Sequence, residues 1–463
     1  MKPCGVVISR KPPTHRAFEF ELLEPGSVIP GSYVEVPFEG GAVVARVTKV
    51  LVENPYMSTP GIVSAHAKFG LRLPSQATLE ETEAYVARAE VVGVVDVKGE
   101  VSPPHVPPPP GAKVYPASPI TLKPVLGLAD KGVELGEAWG LGFNVTLDPE
   151  KLVWHHVAVL GATGSGKSYT CGVLAEEFLD LGLSVAIVDP HGEYRGLIET
   201  YGGRTVRLDK VLIEPDMVPP DAIADATEMT GLQRDLLHLA YYEVEEPGLE
   251  ALEKAVYKVA SQYKFHKETF FAIKRRLATL RSVGVFSGRG EPVDLEEERL
   301  VVVDAGVGLT GRVTSALVGA LAWYLFEKRK RRESPPLVLI VDEAHKFLPQ
   351  DEESFSKKSL RLVAREGRKF KAGLVIASQR VVRLDKDVLS QCGTKIVLRM
   401  DSPTDLAMLK PLLGRYTPIL PSLPVGVALT AGIALRHPLI VKIRKQRKAR
   451  RAKPGTLEPY IHH

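Results

Sequence analysis

The chain is poor in cysteine. Its three cysteines, Cys4, Cys171 and Cys392, stand far apart among 463 residues, and no C-x-x-C pair occurs. That excludes a disulfide framework, offers no zinc-ligand spacing and suits a reducing compartment. Long hydrophobic runs are also missing. The longest apolar stretch near a helix, Leu317 to Phe326, falls far short of the about 18 residues that span a bilayer. No secretory signal precedes the first predicted strand, and there is no internal repeat. The expectation is a soluble, cytoplasmic protein without membrane contact. Hydrophobic residues at 44% and charged residues at 25% are ordinary for a globular chain. The length calls for two or three domains.

Charge is unevenly placed. Eight basic residues and no acidic one lie between Lys442 and Lys453, and removing them from the net charge of +5 leaves −3. A second basic run is Lys328-Arg-Lys-Arg-Arg332. Both suit nucleic-acid phosphates, and both equally suit a solvated tail and a solvated helix end.

What the chain does have is one full phosphate-binding loop. Residues 161–168, Gly-Ala-Thr-Gly-Ser-Gly-Lys-Ser, fit G-x-x-x-x-G-K-[ST]. Gly161, Gly164 and Gly166 allow the tight turn that points successive N–H groups at phosphate oxygens. Lys167 reaches the β and γ phosphates, and the Ser168 hydroxyl sits on Mg²⁺. An apolar strand, Val157 to Leu160, enters the loop, and a helix from Tyr169 to Leu179 leaves it with its positive end at the phosphates. The candidate nucleotide-binding residues are Gly161, Ala162, Thr163, Gly164, Ser165, Gly166, Lys167, Ser168 and Tyr169, with ATP and Mg²⁺ as the implied ligands.

Around this loop the chain organises itself. Residues 1–102 read as a small all-β barrel, from short strands such as Val6–Ile8, Phe18–Leu22, Tyr33–Val36, Val43–Val52 and Val91–Val97 separated by Gly/Pro turns. Glu80 to Ala89 reads as a short helix. Residues 103–124 hold nine prolines, so 103–130 is expected to be a semi-rigid extended linker. From 131 to 440 the pattern is α/β. Continuous apolar runs at 184–188, 299–303, 337–341, 373–377 and 394–398 predict parallel strands covered on both faces. Residues 208–292 predict a helical insertion, and 441–463 a basic tail too poor in apolar residues to pack.

Several strand ends carry chemistry. In Leu337-Val-Leu-Ile-Val-Asp342-Glu343-Ala-His345, Asp342 ends a buried strand where it can hold the metal's water shell beside Ser168, and Glu343 follows as a general base for water. Asp189-Pro-His-Gly-Glu-Tyr194 follows another strand, and carboxyl ends of parallel strands line the ligand crevice; a turn capped by Asp189 explains the spacing as well. Gln379, in Ala377-Ser-Gln-Arg380, can sense the γ-phosphate. Arg365-Glu-Gly-Arg368-Lys369 offers candidate arginine fingers, or simply a solvated helix end.

Together these segments, with Phe347-Leu-Pro349 and Leu389-Ser-Gln-Cys-Gly-Thr-Lys395, resemble in order and spacing the HerA family of archaeal hexameric DNA translocases, from about 130 to 440. The β region resembles that family's amino-terminal HAS barrel. The resemblance implies a RecA-like P-loop ATPase core, a homohexamer and ATP-driven movement on double-stranded DNA. It also implies partnership with a NurA-type nuclease, and with the double-strand-break processing complex, in end resection. Carried over by position, Lys167 and Ser168 bind phosphate and metal, Asp342 supports the metal, Glu343 is the catalytic carboxylate, Gln379 the sensor and Arg368 a finger acting on a neighbour's ATP. Asp189 counts among the catalytic candidates. The family often has Arg-His where His155-His156 stands here, and His155 replaces that arginine only when protonated. Two other readings stay open: a conjugation or packaging pump of the same superfamily, and a nucleotide-gated scaffold that docks a nuclease.

Overall fold

The computed structural model describes residues 2–54, 82–212, 218–244, 248–284 and 290–447, with isolated positions between these stretches. The chain divides into two compact units: residues 1–129 with Leu435–His437, and residues 130–434 with those from 438 onward.

In the first unit β1 (Gly5–Ile8), β2 (Ala17–Leu22), β3 (Tyr33–Phe38), β4 (Gly41–Glu53), β5 (Ala84–Asp96), β6 (Val101–Ser102) and β7 (Lys113–Pro116) make one antiparallel sheet in the order β2-β1-β7-β3-β4-β5-β6. β2 also pairs with β5, which closes a small barrel and leaves few unpaired edges. Phe18, Phe20, Val34, Val43, Ala87 and Val114 fill its interior.

Two expectations change here. The proline-rich segment 103–130 is not an extended linker throughout. Its Lys113–Pro116 forms β7, wedged between β1 and β3, and Pro119–Leu126 forms a helix, α1, capped by Ser118. The prolines permit this. Pro116 ends its strand, and Pro119 stands at the first helical turn, where a missing N–H costs nothing. The predicted helix at 80–89 is, from Ala84 on, part of β5. Pairing with β2 on one side and β4 on the other outweighs the helical preference of Glu and Ala. Residues 80–81 lie outside the described residues.

The second unit is built on an eleven-stranded sheet. Its strands are β8 (Val133–Ala138), β9 (Asn144–Leu147), β10 (Val157–Leu160), β11 (Ser184–Asp189), β12 (Arg204–Arg207), β13 (Leu300–Asp304), β14 (Leu337–Val341), β15 (Ala372–Ser378), β16 (Thr394–Val397), β17 (Val427–Gly432) and β18 (Leu439–Ile443). The order is β12-β13-β11-β14-β15-β10-β16-β17-β18-β8-β9, parallel from β12 to β16 and antiparallel beyond. The parallel strands are the uninterrupted apolar runs, buried on both faces as such strands must be.

The insertion is helical: α3 (Pro220–Ala226), α4 (Leu232–Tyr241), α5 (Leu249–Gln262) and α6 (Lys267–Val283), after α2 (Lys167–Asp180). Val256, Leu277 and Leu236 share one core with Ala158 and Val188 of the sheet, so the insertion is packed into the ATPase unit rather than set apart. Two further long helices follow, α7 (Gly311–Lys330) and α8 (Phe355–Phe370). The basic run 328–332 closes α7. There Lys330 pairs with Glu327 at 2.7 Å and Arg329 donates to the Ser334 carbonyl at 2.7 Å, so the run is engaged at its own helix end, where cations suit the helix dipole.

The basic tail begins as structure too. Leu439–Ile443 is β18, and beyond it Arg444 donates to Glu176 at 2.8 Å and to Glu177 at 2.7 Å. Arg447 donates to Glu177 at 2.7 Å and also pairs with Asp180. These acids lie on α2, so two of the eight basic residues are neutralised there and are not available to an outside phosphate. Residues 448–463 lie outside the described residues. No helix among the described residues is long and apolar enough to cross a membrane.

Candidate nucleotide site

Strand order decides what meets the loop. β10 delivers the loop at Gly161 and lies between β15 and β16. β14, which carries Asp342 and Glu343, pairs with β15 and not with β10. The end of β15 therefore stands between the loop and the acidic pair. Its Ser378 carbonyl accepts from Gly161 N–H at 3.3 Å, and Gln379 Oε1 accepts from the Thr163 hydroxyl.

The loop has the backbone its sequence requires. Gly166, the residue before α2, has φ of 106°, a conformation that costs an L side chain heavily. At Gly161 a Cβ would lie 2.6 Å from Ser165 Oγ, so only hydrogen fits. Lys167 is largely buried, and its ammonium donates to the Ala162 carbonyl of its own loop at 3.3 Å.

Asp342 is buried, and both its oxygens are occupied: Oδ2 accepts from the Tyr194 hydroxyl at 2.9 Å and Oδ1 from the Glu343 N–H at 2.8 Å. Such a carboxylate is fixed in orientation and suited to hold a metal through its water shell. With the Ser168 hydroxyl it fits Mg²⁺, which keeps several waters and takes one or two protein groups beside substrate phosphates.

Glu343 has a left-handed backbone, φ of 47°, so the strand end is strained where the chemistry is expected. Burial raises its carboxyl above the ordinary range; Lys167 pulls it down and Asp342 pushes it up. Lys167, Asp342 and Glu343 therefore feel one another directly. A raised carboxylate is a better proton acceptor near neutral pH than a free one.

His345 lies with Nδ1 3.1 Å from Glu343 Oε2 and 3.3 Å from Ser378 Oγ. Burial, followed by Lys346 and Arg380, pushes the imidazole down to about 4, so it is neutral.

The other candidates divide. Asp189 is buried in the same crevice, but its carboxylate caps a turn. Oδ1 accepts from His191 N–H at 3.0 Å and Gly192 N–H at 2.8 Å, and Oδ2 from Tyr194 N–H at 3.3 Å. It acts on the site by placing Tyr194, which in turn orients Asp342. Tyr194 is thus a site residue that sequence reasoning missed, although it ends the motif that carries Asp189. Arg368 is not brought to the loop at all. It is exposed in the last turn of α8, before β15 begins, next to His155. β15 has seven residues, so the two ends of this strand are separated by about 20 Å. Burial, then Arg368, lowers the His155 imidazole, which is therefore neutral at neutral pH and does not replace an arginine by charge.

The family described as "Helicase HerA, central domain" matches residues 133–291. The DNA double-strand break repair helicase HerA of Pyrococcus furiosus is 27% identical, over 97% of this chain and 94% of that protein. Over nearly its whole length the chain is similar to the HerA helicases. Its likeness to the family spans barrel and ATPase unit together, because the Sulfolobus acidocaldarius DNA double-strand break repair helicase HerA, 26% identical, also aligns over 90% of this chain and 88% of its own length. Among solved structures, VirB4 of Thermoanaerobacter pseudethanolicus has a TM-score of 0.57 at 18% identity, covering 69% of this chain and 98% of that one. The plasmid coupling protein TrwB in complex with ADP and Mg²⁺ has 0.52 at 16%, covering 72% and 93%. At such identities the likeness speaks for the fold, a P-loop ATPase sheet.

Proposed function

We propose that the protein hydrolyses ATP and uses the energy to move on double-stranded DNA, as a helicase or translocase in double-strand break repair. The observation that carries this reading is the convergence of Lys167, Thr163, Gln379, Asp342 and Glu343 at the carboxyl ends of three neighbouring strands. The names and near-complete coverage of the HerA relatives support the repair setting.

In this reading the loop N–H groups and Lys167 hold the phosphates. Ser168, and Asp342 through water, would hold Mg²⁺, which would supply positive charge against the phosphates. Tyr169, directly after Ser168, is the last of the candidate nucleotide residues, and its hydroxyl accepts from Gln446 N–H at 2.7 Å. Glu343 takes a proton from water as the water oxygen bonds to the γ-phosphorus, and the bond to the bridging oxygen breaks with its electron pair leaving on ADP. Gln379, tied to Thr163, registers whether the γ-phosphate is present. Arg368 reaches a neighbour's ATP across a subunit boundary, which requires a ring; we take this to be a homohexamer. A NurA-type nuclease acts with it in end resection, in the cytoplasm, with the barrel as docking module.

The test is ATP turnover with and without duplex DNA, together with displacement of a triplex strand. Wild type should be stimulated by duplex DNA, Lys167→Ala should lose turnover, and Glu343→Gln should bind ATP but lose turnover by a factor of about 10³. Turnover indifferent to duplex DNA, without triplex displacement, removes the motor reading. Wild-type turnover in Glu343→Gln removes Glu343 as base.

A further inference from the structure

His345 has no role in the mechanism so far, yet it touches both halves of it. Its Nδ1 is within 3.5 Å of two groups, Glu343 Oε2 at 3.1 Å and Ser378 Oγ at 3.3 Å. Only Ser378 lies in hydrogen-bonding direction. Glu343 Oε2, although buried, makes no hydrogen bond among the described residues. A ring nitrogen has one in-plane valence and serves one partner at a time. The Glu343 backbone is pinned through its N–H to Asp342, so a change of partner is a matter of side-chain rotation.

Ser378 is itself placed to sense the loop. Its carbonyl accepts from Gly161 N–H, and the next residue, Gln379, holds Thr163. The Ser378 hydroxyl also accepts from Arg380 N–H at 3.1 Å, so it is tied to the turn that carries Gln379.

We propose that His345 is a positioning residue that frees or restrains Glu343 according to the state of the β15 end. With Nδ1 on Ser378, Oε2 has a free lone pair for a proton from water. When Ser378 is drawn away, Nδ1–H turns to Oε2. That hydrogen bond occupies the lone pair of Oε2 and holds the carboxylate turned toward the imidazole instead of toward water. The arrangement couples the γ-phosphate side of the loop to the orientation of Glu343. It rests on the reading of Glu343 as base.

The experiment is a double-mutant cycle in kcat with the full-length chain, alongside binding of a fluorescent ATP analogue. Ser378→Ala removes the competing partner, so Nδ1 settles on Glu343. The expected result is a kcat lower by about tenfold, the worth of one hydrogen bond, with analogue binding unchanged. In the double variant His345→Ala with Ser378→Ala no imidazole remains to restrain Glu343, and kcat should rise above that of Ser378→Ala alone. Ser378→Cys, close in volume and a weak hydrogen-bonding group, should lower kcat in the same direction and covers the case in which the alanine variant does not fold. Wild-type kcat in the Ser378 variants overturns the proposal. So does a double variant no faster than Ser378→Ala, which is the outcome if both residues only support the fold. Glu343→Gln in the same series keeps the two ideas apart. If it turns over like wild type, the base reading fails whatever the cycle shows; if it is inactive and the cycle shows no coupling, only His345 loses its role.

Discussion

The two ends of the parallel sheet differ in what their motifs do. At the carboxyl ends of β10, β11, β14 and β15 the residues engage one another, Tyr194 on Asp342, Thr163 on Gln379 and Lys167 with Glu343, and of these Tyr194, Asp342, Lys167 and Glu343 are buried. At the amino ends of β10 and β15 stand His155, His156 and Arg368, about 20 Å away by the length of β15. There only His156 is built in. Its Nε2 bonds the Ala364 carbonyl at 3.0 Å and its Nδ1 accepts from Leu374 N–H at 3.0 Å. One end gathers the candidate nucleotide-site residues. The other holds one exposed arginine, Arg368, at the far end of β15 from the loop. The difference teaches that motif density along the chain does not mean convergence in space.

The largest expected effect tests whether that arginine works on a neighbour. Arg368→Ala should lower turnover by roughly 10³, within the range for arginine fingers. Mixing Arg368→Ala subunits with Glu343→Gln subunits should recover part of the activity, since one type of boundary then joins an intact Glu343 site to an intact Arg368. No recovery, in rings where wild-type subunits diluted by either variant still turn over, would show that Arg368 acts elsewhere.

A second effect concerns the fold rather than the chemistry. Burial lowers the His156 imidazole to about 4, partly offset by its bond to Ala364. An unfolded histidine titrates near 6.5. Between those values the unfolded chain binds a proton that the folded chain does not. Stability from this group is therefore full above pH 6.5 and falls as pH drops toward 4, by roughly 3 kcal/mol in all. Denaturant midpoints should fall over that window, and His156→Asn should flatten the fall. An equal slope in the variant would place the acid sensitivity in other groups.

The smallest effect is at His155. With its imidazole lowered by burial and by Arg368, it is neutral at pH 7.5, and His155→Gln should stay within about twofold of wild-type ATPase there. A tenfold loss would mean that the imidazole does more than fill space.

Much of the site was legible because its signals are local. The loop motif, the apolar run into Asp342-Glu343 and the acidic strand end at Asp189 each depend on residues within a dozen positions. What escaped was of two kinds. Tyr194 and His345 lay inside recognised motifs, but their partners, Asp342 and Ser378, are far off in sequence. The proline-rich segment and the basic tail were misjudged because composition describes solvation preference, not pairing. Lys113–Pro116 finds two strand partners from the first forty residues of the chain, and Arg444 and Arg447 find acids on α2 that no local pattern connects to them.

By itself the sequence determined the loop, because only glycine tolerates its backbone and only Lys-Ser offers its phosphate and metal contacts, and it determined the parallel strands, because a strand buried on both faces must be apolar throughout. Tertiary structure alone decided that β15 lies between β10 and β14, so that Ser378 and Gln379 separate the loop from Glu343, and that Arg368 is left at the opposite end of that strand. Strand order is set by how helices and crossovers pack over the whole sheet, a sum of contacts between residues distant in sequence, and no short stretch of residues carries that information.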